Sequence, residues 1–269
     1  MKVNKAWARF VCERIYRNCI FKTFTQFIGF SDSVISSNLR ATLPYRNYVR
    51  HLDFSSVNKY GVDTRARKLI KYCSNVETVK FGQTTSVKTN TIRLLGRYCH
   101  KVQELEIGGF QCYPFMFDCD FSGLKSLRRI TLTSTPLQAD SLQTLPSTVE
   151  HIEISQMDAL VHSDLVKFLK SHVNVKTLKL SRCRHINKQF AELLTLVPAL
   201  RSLELIGPGV DDKGLKELFD MPGALKTLRL HHTQISDETL ESLANGCLNV
   251  DHLDISHNSQ ISQHAIMRL

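Results

Sequence analysis

The chain of 269 residues is 42% hydrophobic and 22% charged, which excludes a disordered composition, and no apolar run reaches the roughly 18 residues of a membrane span. Its N-terminus, MKVNKAWARF, scatters charges where a secretory signal carries an apolar stretch, so a soluble protein of the cytoplasm or nucleus is expected. The net charge of +10 is uneven: residues 1–100 hold 18 Lys/Arg against 5 Asp/Glu, whereas residues 101–269 hold 17 against 20.

In chain order, residues 3–18 (VNKAWARFVCERIYRN) place Val3, Ala6, Trp7, Phe10, Val11 and Ile15 at the spacing of an amphipathic helix. No repeat is read in residues 1–48, and Pro44 ends any helix before the first strand. From residue 49 onward an apolar-x-x-apolar-x-apolar pattern returns nine times: VRHLDF, VETVKF, VQELEI, LRRITL, VEHIEI, VKTLKL, LRSLEL, LKTLRL and VDHLDI, beginning at residues 49, 76, 102, 127, 149, 175, 200, 225 and 250. Successive copies start 22 to 27 residues apart. Alternating residues of a short strand face opposite sides, so the last two apolar positions of each copy are expected in a core and their neighbours in solvent.

Segments of helical period lie between the strands. SDLVKFLKSH (163–172) carries Leu165, Phe168 and Leu169, and SDETLESLANG (236–246) carries Leu240 and Leu243; Ser163 and Ser236 read as N-caps and Gly246 as a left-handed helix end. The eight cysteines, at 12, 19, 73, 99, 112, 119, 183 and 247, include no CxxC pair and read as reduced thiols. Cys73, Cys99 and Cys247 each precede a strand copy by three residues, where other copies have His172, Val197, Pro146 or Pro222, and read as fillers of the core edge.

The spacing and the strand pattern are those of a leucine-rich repeat. LKLSRCRHIN (178–187) resembles the cysteine-containing leucine-rich-repeat subfamily, and LRLHHTQISD (228–237) and LDISHNSQIS (253–262) match it without the cysteine. The expected fold is α/β: a curved solenoid with one parallel strand and one convex helix per repeat, about nine repeats over residues 49–269, after a short helical segment at residues 1–48.

That segment resembles the fungal F-box/leucine-rich-repeat proteins, through VNKAW at 3–7, IYRN at 15–18 and LPYRNYVRHLDFS at 43–55. The resemblance implies a substrate-recognition subunit of an SCF-type, cullin-based ubiquitin ligase, with Trp7 and Val11 left to meet a Skp-type adaptor. The opening LP-x-E-I-L segment and first two helices of an F-box do not precede Met1, so adaptor binding is expected to be residual unless they lie upstream. At the other end ISQHAIMRL (261–269) stops within a helix just begun.

No catalytic constellation is present, and neither enzyme activity nor a cofactor is expected. His231 and His232 are adjacent on a strand exit and so face different directions; Cys112 and Cys119, with Asp118 and Asp120 beside them, lack the second ligand pair of a zinc site. The aromatics of GGFQCYPFMFDCDFSG (108–123) read as a packed convex segment. The substrate is expected on the concave face, at Lys80, Glu104, Glu106, Arg129, His151, Glu153, Lys179, Arg182, Glu204, Arg229, His231 and Asp254. Lys179, Arg182 and Arg229 gather cations that could receive an acidic or phosphorylated segment, although Glu204 stands among them. The mixed signs fit a protein partner better than nucleic acid, which calls for mostly Lys/Arg. The alternative to a ligase subunit is a repeat scaffold that needs no adaptor; no membrane partner is implied.

Overall fold

The computed structural model describes residues 4–40, 44–57, 61–82, 89–108, 118–135, 137–186, 190–219, 225–246 and 250–269. It divides into two compact units, residues 1–131 with 135–148, and residues 132–134 with 149–269. The elements are α1 (Lys5–Arg17), β1 (Asn18–Ile20), α2 (Phe24–Arg40), a 3-10 turn (Tyr45–Asn47), β2 (His51–Asp53), α3 (Val62–Ile70), β3 (Thr78–Phe81), α4 (Thr89–Tyr98), β4 (Glu104–Gly108), β5 (Arg129–Thr133) and α5 (Ala139–Leu142). They continue with β6 (His151–Ser155), α6 (His162–Ser171), β7 (Thr177–Ser181), α7 (Phe190–Thr195), β8 (Ser202–Ile206), α8 (Asp212–Phe219), β9 (Thr227–His231), α9 (Asp237–Asn245), β10 (His252–Asp254) and α10 (Gln263–Ile266). No helix among the described residues is long and apolar enough to cross a membrane.

Strand order in the sheet is chain order, β1 to β10. The pairings are parallel and in a constant register, Leu52 beside Val79 beside Leu105 in the first unit and Ile152, Leu178, Leu203, Leu228 and Leu253 in line in the second. A fixed register follows from the pattern, because a slip of one residue would turn every apolar side chain to solvent. All three apolar positions of the first eight copies are buried, while Leu253 and Ile255 of the ninth are only half-buried.

The first unit holds a strand that the sequence reading missed. Residues 18–20, read within a helical segment, form β1, parallel to β2 with Cys19 beside Leu52. Tyr16, Cys19 and Phe21 repeat the strand pattern, but 33 residues ahead of the next copy, outside the spacing of the others. Phe21 begins a column: its ring stacks on Phe54 at 5.4 Å, and Phe54 stacks on Phe81 at 5.4 Å. Phe27 of α2 closes on Phe54 edge-on at 5.2 Å. All four are buried.

Two helix-end expectations are corrected. Ser163 lies inside the first turn of α6, whose N-cap is Val161; the N–H of His162 is satisfied by the carbonyl of His185 at 3.1 Å, so a neighbouring backbone does the work of a capping side chain. Gly246 has φ −82° and is not left-handed. Glycine is required there by crowding, since a Cβ would sit 2.6 Å from the carbonyl oxygen of Phe219. Ser236 does cap α9, accepting from the N–H of Glu238 at 3.2 Å. Cys73 and Cys99 are buried, the thiol of Cys99 donating to the carbonyl of Cys73 at 3.3 Å, and His172 takes the same place buried against Phe168. Cys247, Pro222, Cys112 and the aromatics Phe110, Tyr113, Phe115 and Phe117 lie outside the described residues, while Phe121 is buried.

Candidate functional site

On the solvent side of the strands in the second unit, Glu153, Lys179, Glu204, Arg229 and Asp254 stand side by side in register. The Lys179 ammonium lies 3.3 Å from Glu153 and 3.1 Å from Glu204, and the Arg229 guanidinium lies 3.5 Å from the other oxygen of Glu204. Directly opposed unlike charges stabilise a sheet by about 0.2–1 kcal/mol per pair. Partial burial works to lower the Lys179 pKa, but hydrogen bonding to Glu204 and the charge of Glu153 prevail and hold it above the ordinary lysine value. At the end of β9 His231 approaches Asp254 at 3.0 Å, and the Asp254 carboxyl is held below its ordinary range chiefly by the backbone N–H of Ser256. His151 shares a hydrogen bond with Thr177 at 3.0 Å. The cations expected to form an acceptor for acidic segments are thus largely neutralised, and an incoming phosphate at Lys179 or Arg229 would first have to displace Glu204.

The first unit carries the same device on a smaller scale. Lys80 pairs with Glu106 at 3.1 Å, which raises the lysine pKa through that hydrogen bond, and Arg129 pairs with Glu104 at 3.6 Å.

Arg182 does not belong to this face. It follows β7 at φ 53°, one of a column of left-handed residues just past the strands of the second unit: Ser134, Gln156, Arg182, Gly207, His232 and His257. In four of them the N–H reaches across to the next strand or its exit, as Ser134 to Ser155, Gln156 to Ser181, Arg182 to Ile206 and Gly207 to His231. Only one of the six is glycine, so the usual sequence cue for a left-handed turn is missing. The exits of β7 and β8 border a cavity of about 480 Å³ lined by Leu180, Ile186, Phe190, Leu205 and Val210, with Arg182, Cys183 and Arg184 also at its wall. Sequence reasoning missed it because it arises from small residues, Gly207-Pro208-Gly209, rather than from a motif.

At the N-terminus, Asn4 caps α1 by accepting from the N–H of Ala6 at 2.9 Å, and the stack of Tyr16 on Tyr45 at 4.7 Å ties its end down. No residue of α1 is buried. Trp7 is 64% exposed and Ile15 65%, and Phe10 and Val11 between them are exposed as well. Trp7 meets Phe10 edge-to-face at 6.1 Å and the Arg14 guanidinium covers Phe10 at 5.2 Å. A role for Trp7 as packing between this helix and the first repeat is excluded by that exposure. Among the described residues no group of three or more His, Cys, Asp and Glu side chains is arranged to hold a metal ion.

No protein-family model matches the sequence, and no curated protein matches it. Solved structures do. Rad7, crystallised in the yeast Rad7 and Elc1 complex, superposes with a TM-score of 0.63 at 11% identity, over 99% of this chain and 74% of its own. The fold is therefore a leucine-rich-repeat fold. An internalin, InlF, from Listeria monocytogenes aligns at TM-score 0.47 and 14% identity over 82% of this chain and 62% of its own. TLR13, from its complex with ssRNA13, aligns at 0.48 and 18% identity over 84% of this chain and 35% of its own.

Proposed function

We propose that this chain is a protein-interaction module acting as the substrate-recognition subunit of an SCF-type ubiquitin ligase, with α1 as its adaptor contact and the solvent face of the strands as its substrate contact. The observation that carries the reading is α1 itself. A soluble fold rarely leaves a tryptophan, a phenylalanine, a valine and an isoleucine contiguous and exposed unless another protein covers them. Their residues coincide with the segment that resembles the last F-box helix. Rad7, the neighbour in fold, was itself crystallised with a second chain, Elc1. The alternating charges at Glu153, Lys179, Glu204 and Arg229 suit a protein surface of mixed sign and oppose a polyanion.

The test is a pull-down of a Skp-type adaptor by the chain, alone and extended by its upstream reading frame. Trp7→Ala is expected to weaken capture at least tenfold, since a buried interface tryptophan contributes about 2 kcal/mol or more, without lowering the thermal midpoint. Capture unchanged by Trp7→Ala in both forms refutes the adaptor contact; no capture at all, with a substrate still bound, makes the chain a scaffold.

A further inference from the structure

We infer that the cavity between the exits of β7 and β8 is a binding site for the C-terminal residue of a peptide, taking an apolar side chain inside and its free carboxylate at Arg182 and Arg184. The inference rests on the protein-interaction reading above but not on the adaptor contact.

The cavity has a structural origin. After three of the six left-handed positions the next residue sends a side-chain donor back to the preceding repeat: Thr135 to the carbonyl of Ile107 at 2.9 Å, Cys183 to Ile154 at 3.8 Å, and Asn258 to Leu230 at 2.7 Å. After β8 that position is Pro208, which has no side-chain donor, and Gly209 follows with no side chain. Leu180, Leu205 and Phe190 line about 480 Å³ of open space beside this loop, within the roughly 300–1,000 Å³ of ligand pockets. Gly209 lines the cavity, and a Cβ there would meet no atom within 4 Å.

The charge at the rim is less compensated than that of the strand face. Lys179 and Arg229 share Glu204, whereas among the described residues no carboxylate pairs with Arg182, and Arg184 reaches Asp158 only at 3.9 Å. The backbone of Arg182 is fixed by its N–H bond to Ile206 at 2.7 Å, so its side chain starts from a set point at the cavity wall. A guanidinium grips a carboxylate through two parallel hydrogen bonds. A group carrying its anion and its apolar body on neighbouring atoms can use both features at once. A phosphoserine brings no apolar body to the walls, and in a phosphotyrosine the phosphate caps the ring edge that would enter them. The last residue of a peptide has carboxylate and side chain on one carbon, and its third substituent, the rest of the chain, can leave through the open mouth.

The experiment uses the full chain and a pool of fluorescein-labelled pentapeptides ending in leucine and randomised elsewhere, read by anisotropy. The free-acid pool should bind at least tenfold tighter than the same pool amidated or ending in aspartate. Arg182→Ala should cost tenfold or more, and Gly209→Leu, which adds a bulky side chain at the cavity wall where a Cβ meets no atom within 4 Å, should weaken binding at least as much with the thermal midpoint unchanged. Equal affinity for acid and amide, full binding by Gly209→Leu, or no binding by any pool overturns the site. N-acetyl-leucine binding as tightly as the peptides overturns the peptide assignment in favour of a small acid. Adaptor capture is measured separately through Trp7, so failure of one reading leaves the other visible.

Discussion

The carboxylate of Asp212, in the first turn of α8, accepts hydrogen bonds from both the N–H and the hydroxyl of Ser236, the N-cap of α9, each at 2.8 Å. Thr239 also donates its hydroxyl to Asp212. The relation recurs one repeat later, where Asp237 accepts from the N–H and hydroxyl of Ser262 at 2.7 Å each. A helix start in one repeat thus fixes the helix start of the next. Hydrogen bonds to a charged group contribute about 1.5–3 kcal/mol each, and a part-buried cluster sharing one carboxylate, which water can partly replace, is worth well under their sum. Asp212→Ala is expected to lower the unfolding free energy by about 2–3 kcal/mol in urea titration. Combined with Ser236→Ala the loss should be less than additive, because both changes break the same bonds.

Phe54 marks the corresponding weak point of the first unit. It stacks between Phe21 and Phe81 and receives the edge of Phe27, with no solvent exposure. Truncating a buried phenylalanine leaves a cavity costing about 3–5 kcal/mol. Phe54→Ala should therefore move the urea midpoint far more than Phe10→Ala on the exposed α1. Equal effects would show that the column is loosely packed.

The pH response should appear on the alkaline side. Burial pushes the thiols of Cys19, Cys99 and Cys119 up to about 12, from the ordinary value of 9.0. A raised folded-state pKa means that the unfolded chain loses these protons first. The contribution is complete below about pH 9 and is lost progressively between 9 and 12. Cys99→Val, close in volume, should flatten the decline of the urea midpoint over that window, and Cys99 should resist iodoacetamide until the chain unfolds. Labelling of native Cys99 at the rate of a free thiol would contradict its burial.

The strands were legible because burial demands apolar side chains at fixed offsets, and nine copies left no other period. Other features left no such mark. The tenth copy hides behind Tyr16 and Cys19 where leucines usually stand, and behind a loop lengthened by α2. The left-handed column uses Ser134, Gln156, Arg182, His232 and His257 in place of glycine, and backbone bonds to the next repeat hold Ser134, Gln156 and Arg182 there. The charges of the strand face were visible, but their mutual neutralisation depends on which rotamers meet across the sheet. That is why the sequence shows Glu204 among Lys179 and Arg229 without showing that it pairs with both, and groups Arg182, just past the strand, with the same face.

Glu204 gives that neutralisation a measurable form. It is 15% exposed and lies between Lys179 and Arg229, so Glu204→Gln would leave two cations two strand spacings apart, roughly 10 Å, with their shared counter-charge removed. In the native protein these half-exposed pairs contribute about 1 kcal/mol at most, and added salt should weaken them slightly. In the variant Lys179 keeps Glu153 at 3.3 Å but its repulsion from Arg229 is no longer offset, so the same salt should lower the thermal midpoint less than it does in the native protein. Inorganic phosphate, against an equal ionic strength of chloride, should stabilise the variant more than the native protein, because on the strand face only the variant presents Lys179 and Arg229 without their shared carboxylate. The measurement is the thermal midpoint of both proteins across chloride and phosphate series at fixed pH. If phosphate stabilises the native protein to the same extent, Glu204 does not neutralise its neighbours, and the strand face is an anion acceptor after all.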